Sequence, residues 1–205
     1  MFTKIYRCPK GTRKPRPVPF TRDEMRAILC QIWEKKPYEI RNRAIIAFLY
    51  RGAARIGATL RMLPGDIDWT HNVVRIFSDK GKKTRHISLD DKVMGYLRKW
   101  RDKRAELGIG DDKPFFCTCQ IPRGLPMDRG HVLHRLVTAA RKAGITRHVN
   151  LHLLRHTGAS ELLEEGFDIP TISRFLGHSS LQVTYTYLHE LRPDLMNAKL
   201  ANREW

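Results

Sequence analysis

The chain has 205 residues, 41% of them hydrophobic, which suits one domain with a sizeable core or one domain with an arm. Its 38 Lys and Arg against 21 Asp and Glu give a formal charge of +17, an excess that favours a polyanionic partner, nucleic acid before membrane. There is no run of about 18 apolar residues for a membrane span, the N-terminus lacks the apolar stretch of a secretory signal, and Cys8, Cys30, Cys117 and Cys119 form neither a disulfide framework nor paired zinc-finger spacing, so a cytoplasmic protein with reduced thiols is expected.

Residues 1–18 read as a basic arm. Lys4, Arg7, Lys10, Arg13, Lys14 and Arg16 alternate with prolines and show no apolar period, as in an extended or flexible segment. At "FTRDEM" a helix starts: Thr21 and Glu24 make a capping box, and Phe20 with Met25 a hydrophobic staple. Ala27, Ile28, Ile32 and Trp33 continue its apolar face. Further helices are expected over Arg41 to Arg51 and Ile56 to Met62. The period then changes. In "DIDWTHNVVRIFSDKGKKTRHISLD", β-branched runs flank "DKGKK", which predicts two strands joined by a lysine-rich turn, with a short strand near Ile67 before them.

Helical spacing returns after Asp90 at Val93, Tyr96, Leu97 and Trp100, and "GIGDDKP" is a loop. A helix from Asp128 to Ala143 is stopped by Gly144. Short helices over 152–165, 169–176 and 180–188 are punctuated by Gly166, Pro170 and Gly177, and a last one is expected over 192–203. The fold class is α+β: mainly helical, with one small three-stranded antiparallel sheet. Trp33, Trp69 and Trp100 are expected in the core.

Chemistry gathers in "LHLLRHTG", Leu151 to Gly158. On a helix, His152, Arg155 and His156 fall at i, i+3 and i+4 and share a face. The two histidines have the spacing of a helical zinc pair. However, Leu153 stands where the zincin pattern needs Glu, and Arg155 repels a cation, so no metal is expected. Arginine's planar fork matches phosphate oxygens, and a neutral histidine donates a hydrogen bond or moves a proton. The plain alternative is a helix whose His and Arg satisfy local carbonyls. Downstream, "FLGHSSLQVTYTYLH" adds His178 after Gly177, with Ser179 or Ser180 capping the next helix. Tyr187 follows nine residues after His178. A helix N-terminus beside a histidine favours an anion, and a tyrosine hydroxyl can be a nucleophile.

Together these residues resemble the C-terminal signature of the tyrosine recombinases: His-x-x-Arg at His152 and Arg155, then Leu176-Gly177-His178, then Tyr187. Upstream, "VPFTRDEMRAIL" resembles the start of that family's catalytic domain, and "RIGATLRMLPGDIDW" the segment of its first catalytic arginine, here Arg55. "SDKGKKTRHISL" resembles the hairpin of its catalytic lysine, here Lys80, with Lys82 and Lys83 close by. The likeness spans residues 18–190. The chain departs from the pattern in having Ala53 where the family has Gly, and Ala58 where it has Glu. Arg51 and Arg61 flank Arg55. The family's separate N-terminal DNA-binding domain finds no counterpart, so a short single-domain member or a catalytic fragment is expected.

The resemblance implies strand breakage and rejoining on double-stranded DNA, with no cofactor and no metal. Arg55 and Arg155 are expected to clamp the phosphate, His178 to add a hydrogen bond, and Tyr187 to attack. Lys80 protonates the leaving oxygen and His152 assists proton transfer. It also implies a catalytic domain over 19–190, a 191–205 tail docking on a second copy, a tetramer on DNA, and a nucleoid-associated place in the cytoplasm. Tyr185 is expected to pack, His189 to cap a helix end, and His156 either to orient Arg155 or to lie buried with a partner. The rival readings are a topoisomerase-like DNA-relaxing enzyme and a non-catalytic DNA-binding regulator.

Overall fold

A computed structural model describes residues 17–77 and 84–195. The basic arm up to residue 16, the turn carrying Lys80, Lys82 and Lys83, and the expected last helix from residue 196 on lie outside the described residues. Thr21 caps α1 (Arg22–Cys30) through the full capping box with Glu24, and the staple pair Phe20 and Met25 is buried. α1 ends earlier than the apolar spacing suggests. The chain turns after Cys30, so Ile32 points inward while Trp33 is 59% exposed, with the Lys35 ammonium over its ring. Trp33 is therefore not a core residue. Trp100 is fully buried and Trp69 packs part-buried against Phe115.

α2 (Pro37–Arg51) begins four residues before the predicted start, with Pro37 in its first turn. Ala44 to Leu49 are all buried, so α2 is apolar on every side and forms the central helix. It packs against α4 (Asp91–Glu106), α5 (Arg129–Lys142) and α6 (Leu151–Glu164). The contact with α6 is made at Gly158, where a Cβ would lie 2.2 Å from the Tyr50 carbonyl oxygen. A short α3 (Ile56–Leu60) leads to the sheet. β1 (Ile67–Asp68), β2 (Val73–Phe77) and β3 (Thr84–Ser88) pair antiparallel in chain order, with Val74 opposite Ile87 and Ile76 opposite Arg85. Val74, Ile76 and Ile87 turn to the core and the intervening residues outward, as period-2 alternation requires.

Side chains cap each helix of the C-terminal third, Ser180 as its sequence predicts. Asp128, Asn150, Asp168 and Ser180 accept backbone hydrogen bonds at the starts of α5, α6, α7 (Ile169–Leu176) and α8 (Leu181–Leu191). Gly177 ends α7 at φ +64°, a left-handed conformation suited to glycine. α6, α7 and α8 share a second apolar cluster built on Ala159, Leu163, Ile172, Leu176 and Leu188. α8 runs to Leu191, which is buried, and Leu195 packs on the same cluster. Among the described residues no helix is long and apolar enough to cross a membrane.

Candidate active site

Four elements deliver the site: the turn after α2, the start of α6, the α7–α8 turn and the middle of α8. Arg155 is 1% exposed, and protein groups hold its guanidinium on two sides. Nη1 donates to the Ala53 carbonyl, and Nη2 donates to the Leu176 carbonyl at 2.8 Å and approaches His178 Nε2 at 3.1 Å. Ala53 accepts this bond from a φ of +43°. Left-handed backbone costs an alanine about 1–2 kcal/mol, a cost that glycine would not carry. The strained residue aims its carbonyl at Arg155.

His178 Nδ1 lies 2.8 Å from Thr184 Oγ1. Because Arg155 donates to Nε2, the proton belongs on Nδ1 and is donated to the Thr184 hydroxyl. Burial, aided by the charges of Arg155, Arg55 and Arg85, pushes His178 down to about 4, so it is neutral at pH 7. We expect Thr184→Val to move the His178 tautomer balance away from Nδ1–H, and Thr184→Ser to keep it. Imidazole 15N shifts check this, and an unchanged spectrum in the valine variant would refute the assignment.

His152 sits at the open rim. Desolvation, with Arg155 and Arg55, holds its pKa below the ordinary histidine value. Its ring meets that of His156 edge-on at 4.4 Å, and the His156 ring stacks on Tyr187 at 5.0 Å. Burial, then His152 and Arg155, push His156 to about 4, and its Nδ1 is buried with no hydrogen-bond partner among the described residues. The Tyr187 hydroxyl is likewise buried without a well-aligned hydrogen-bond partner among the described residues, and the Arg155 guanidinium is its polar neighbour. Burial raises its pKa above the usual phenol value, while the nearby charges of Arg155 and Arg55 pull it back. Arg55 caps α3 from the extended region and is exposed. Its charge reaches Arg155, His152, His178 and Tyr187.

The neighbouring arginines are used differently. Arg51 is ion-paired with Glu161 at 2.8 Å and Asp90 at 3.1 Å. Arg55 makes no hydrogen bond or ion pair from its guanidinium among the described residues. Thus Arg55, His152, Arg155, His178 and Tyr187 converge, while Lys80 lies outside the described residues. Tyr185 turns away from the site, 45% exposed and stacked on His189 in the last turn of α8, so the packing expected for it is not found. The sequence reading passed over Thr184 and Arg85. Arg85 stood inside the quoted hairpin motif, but nothing local shows that its side chain crosses to the end of α7.

A helical domain that gathers guanidinium groups, neutral imidazoles and a tyrosine whose hydroxyl is buried, with no carboxylate facing them among the described residues, is built to hold an anion. The phage integrase family matches residues 19–192, and the chain belongs to that family. It is 29% identical over 185 residues to the tyrosine recombinase XerD of Pseudomonas aeruginosa, covering 90% of this chain and 61% of that protein. To the tyrosine recombinase XerC of Corynebacterium glutamicum it is 33% identical over 159 residues, 78% of this chain and 50% of that protein. The chain therefore spans about half to two thirds of the length of these curated relatives. The fold is that of the XerA recombinase crystal structure, with a TM-score of 0.78 at 24% identity, covering 95% of this chain and 68% of that one. A XerH recombinase in a post-cleavage complex with its difH substrate gives 0.74 at 23%, covering 90% and 53%.

Proposed function

We propose that this protein is a site-specific DNA recombinase that cuts and rejoins strands through a 3′-phosphotyrosine. The observation that carries the reading is the convergence of Arg155, Arg55 and His178 around the buried Tyr187 hydroxyl, with no acidic residue among the described residues to neutralise them. Phosphoryl transfer places spread negative charge on a pentavalent phosphorus, and positioned cations stabilise it. Arg55 and Arg155 hold the non-bridging oxygens. The Tyr187 oxygen bonds to phosphorus, the bond to the 5′ oxygen breaks, and Lys80 gives that oxygen a proton. His152 assists removal of the tyrosine proton. When phosphate draws off the Arg155 hydrogen bond, His178 Nε2 is freed to carry a proton toward the phosphate, and Thr184 Oγ1 can donate to Nδ1 in return. The phosphotyrosine conserves the bond energy, so a 5′ hydroxyl from another strand can reverse the step.

Strand exchange joins two duplexes, so the working unit on DNA is a tetramer, with the basic arm on the phosphate backbone and the 191–205 tail, whose Leu191 and Leu195 pack on their own domain, docking its remainder on a second copy. The protein acts in the cytoplasm, on the nucleoid. The test is a duplex selected from a random-sequence pool by binding and nicked beside the cut site, so that the covalent adduct accumulates. A denaturation-resistant protein–DNA band and recombinant products are expected. No adduct leaves a binding regulator, and an adduct without recombinants leaves a relaxing enzyme.

Lys80→Ala should slow cleavage of ordinary DNA by on the order of a hundredfold, yet recover most of the rate when the leaving 5′ oxygen is sulfur. A thiolate leaves without a proton. Rescue of a Lys82 or Lys83 variant in its place moves the assignment along the turn.

A further inference from the structure

Arg85 starts on β3, directly after the β2–β3 turn, and its Nη1 donates to the Phe175 carbonyl in the last turn of α7. Arg155 reaches the next carbonyl, that of Leu176. Two arginines from different elements are thus held by successive carbonyls at the negative end of one helix, beside His178. Between them lies Gly177, where a Cβ would be 2.9 Å from Arg85 Cδ and 3.4 Å from its Nε. The glycine lets the arginine stem cross the turn.

Arg51, close by, is neutralised by Glu161, Glu165 and Asp90. Arg85, Arg155 and Arg55 have no carboxylate partner among the described residues. A mostly buried cation without a counter-ion is costly, and here like charges crowd together. Burial and the charges of Arg155 and Arg55 push Arg85 down to about 9, and burial and Arg55 push Arg155 to about 10. Both stay charged at pH 7. Such a cluster is unfavourable alone and favourable once an anion enters.

We infer that Arg85 is a third arginine of the phosphate site, held by the end of α7 so that its guanidinium meets the same phosphodiester as Arg155. This rests on the recombinase reading above. It separates from a plain structural clip in what it predicts for stability. A clip that is lost destabilises the fold, whereas an unpaired cation that is lost does not.

Arg85→Gln and Arg85→Lys test this on the nicked duplex, with an ordinary phosphate or an uncharged methylphosphonate at the cut position. With the ordinary phosphate, Arg85→Gln should slow adduct formation by on the order of tenfold to a hundredfold, and Arg85→Lys, which keeps charge without the fork, by less. With methylphosphonate the gap between wild type and Arg85→Gln should nearly close. The melting temperature without DNA should hold or rise in Arg85→Gln. Inorganic phosphate, against chloride at matched ionic strength, should raise it more in wild type than in the variant. An unchanged adduct rate with a lowered melting temperature overturns the inference. If wild type forms no adduct, the recombinase reading falls, and the phosphate arm still decides: equal stabilisation of both proteins overturns the role of Arg85, and a loss in the variant supports it.

Discussion

Tyr187→Phe abolishes the covalent DNA adduct and leaves the fold and single-site binding in place: this is the largest functional effect expected of any one atom in the molecule. The hydroxyl is the proposed nucleophile, and phenylalanine offers no atom to attack phosphorus. Its loss costs the folded chain little, because the buried Tyr187 oxygen has no well-aligned partner and its polar neighbour, the Arg155 guanidinium, is already held by the Ala53 and Leu176 carbonyls. The stacking of ring 187 on His156 needs only the ring. The variant should therefore melt close to the wild-type temperature and bind the same duplex with the same salt dependence. A gel of denatured complexes and a thermal melt check both halves. An adduct that persists here and disappears in Tyr185→Phe would move the nucleophile two residues back.

Gly158→Ala is expected to have the largest effect on the fold. A Cβ at position 158 would sit 2.2 Å from the Tyr50 carbonyl oxygen and 3.3 Å from Ala53 Cβ. The first neighbour is backbone of the central helix and cannot rotate aside, so α6 must move off α2. Overpacking of this kind costs about 1–3 kcal/mol, and backbone obstruction belongs at the upper end. In a domain of this size that lowers the melting temperature by roughly 6–12 °C. The same shift draws Arg155 away from the Ala53 carbonyl, so cleavage should fall further than stability alone explains. A melt within a degree of wild type would show that the two helices separate freely at this crossing.

The elements that sequence reading located well are those with local chemical punctuation. Thr21, Asp128, Asn150 and Ser180 each accept the backbone bond expected of a cap, and the period-2 runs around the lysine-rich turn are the paired strands β2 and β3. The start of α2 was read late because Pro37 opens it after Lys36 rather than after a Ser, Thr or Asp cap. Trp33 was misplaced because helical spacing was extended past Cys30, where α1 ends. In the site, His152, Arg155, His178 and Tyr187 were legible because each lies in a short local pattern. The Ala53 carbonyl, Thr184 and Arg85 were not. Their roles arise where separate segments cross: a strained backbone meets α6, a buried hydroxyl meets an imidazole, and a strand residue meets a helix end.

One contact ties the start of the domain to the helix that carries its chemistry. The Phe20 amide donates to Thr157 Oγ1 at 2.9 Å, and Thr157 in turn donates to the Leu153 carbonyl at 2.8 Å. Thr157 stands two residues from Arg155 on the same helix. The Pro19 carbonyl and Glu24 are fastened by Arg147. The entry of the chain into the domain is thus held by α6, the helix that carries His152 and Arg155, so the seating of Phe20 and the set of those two residues change together.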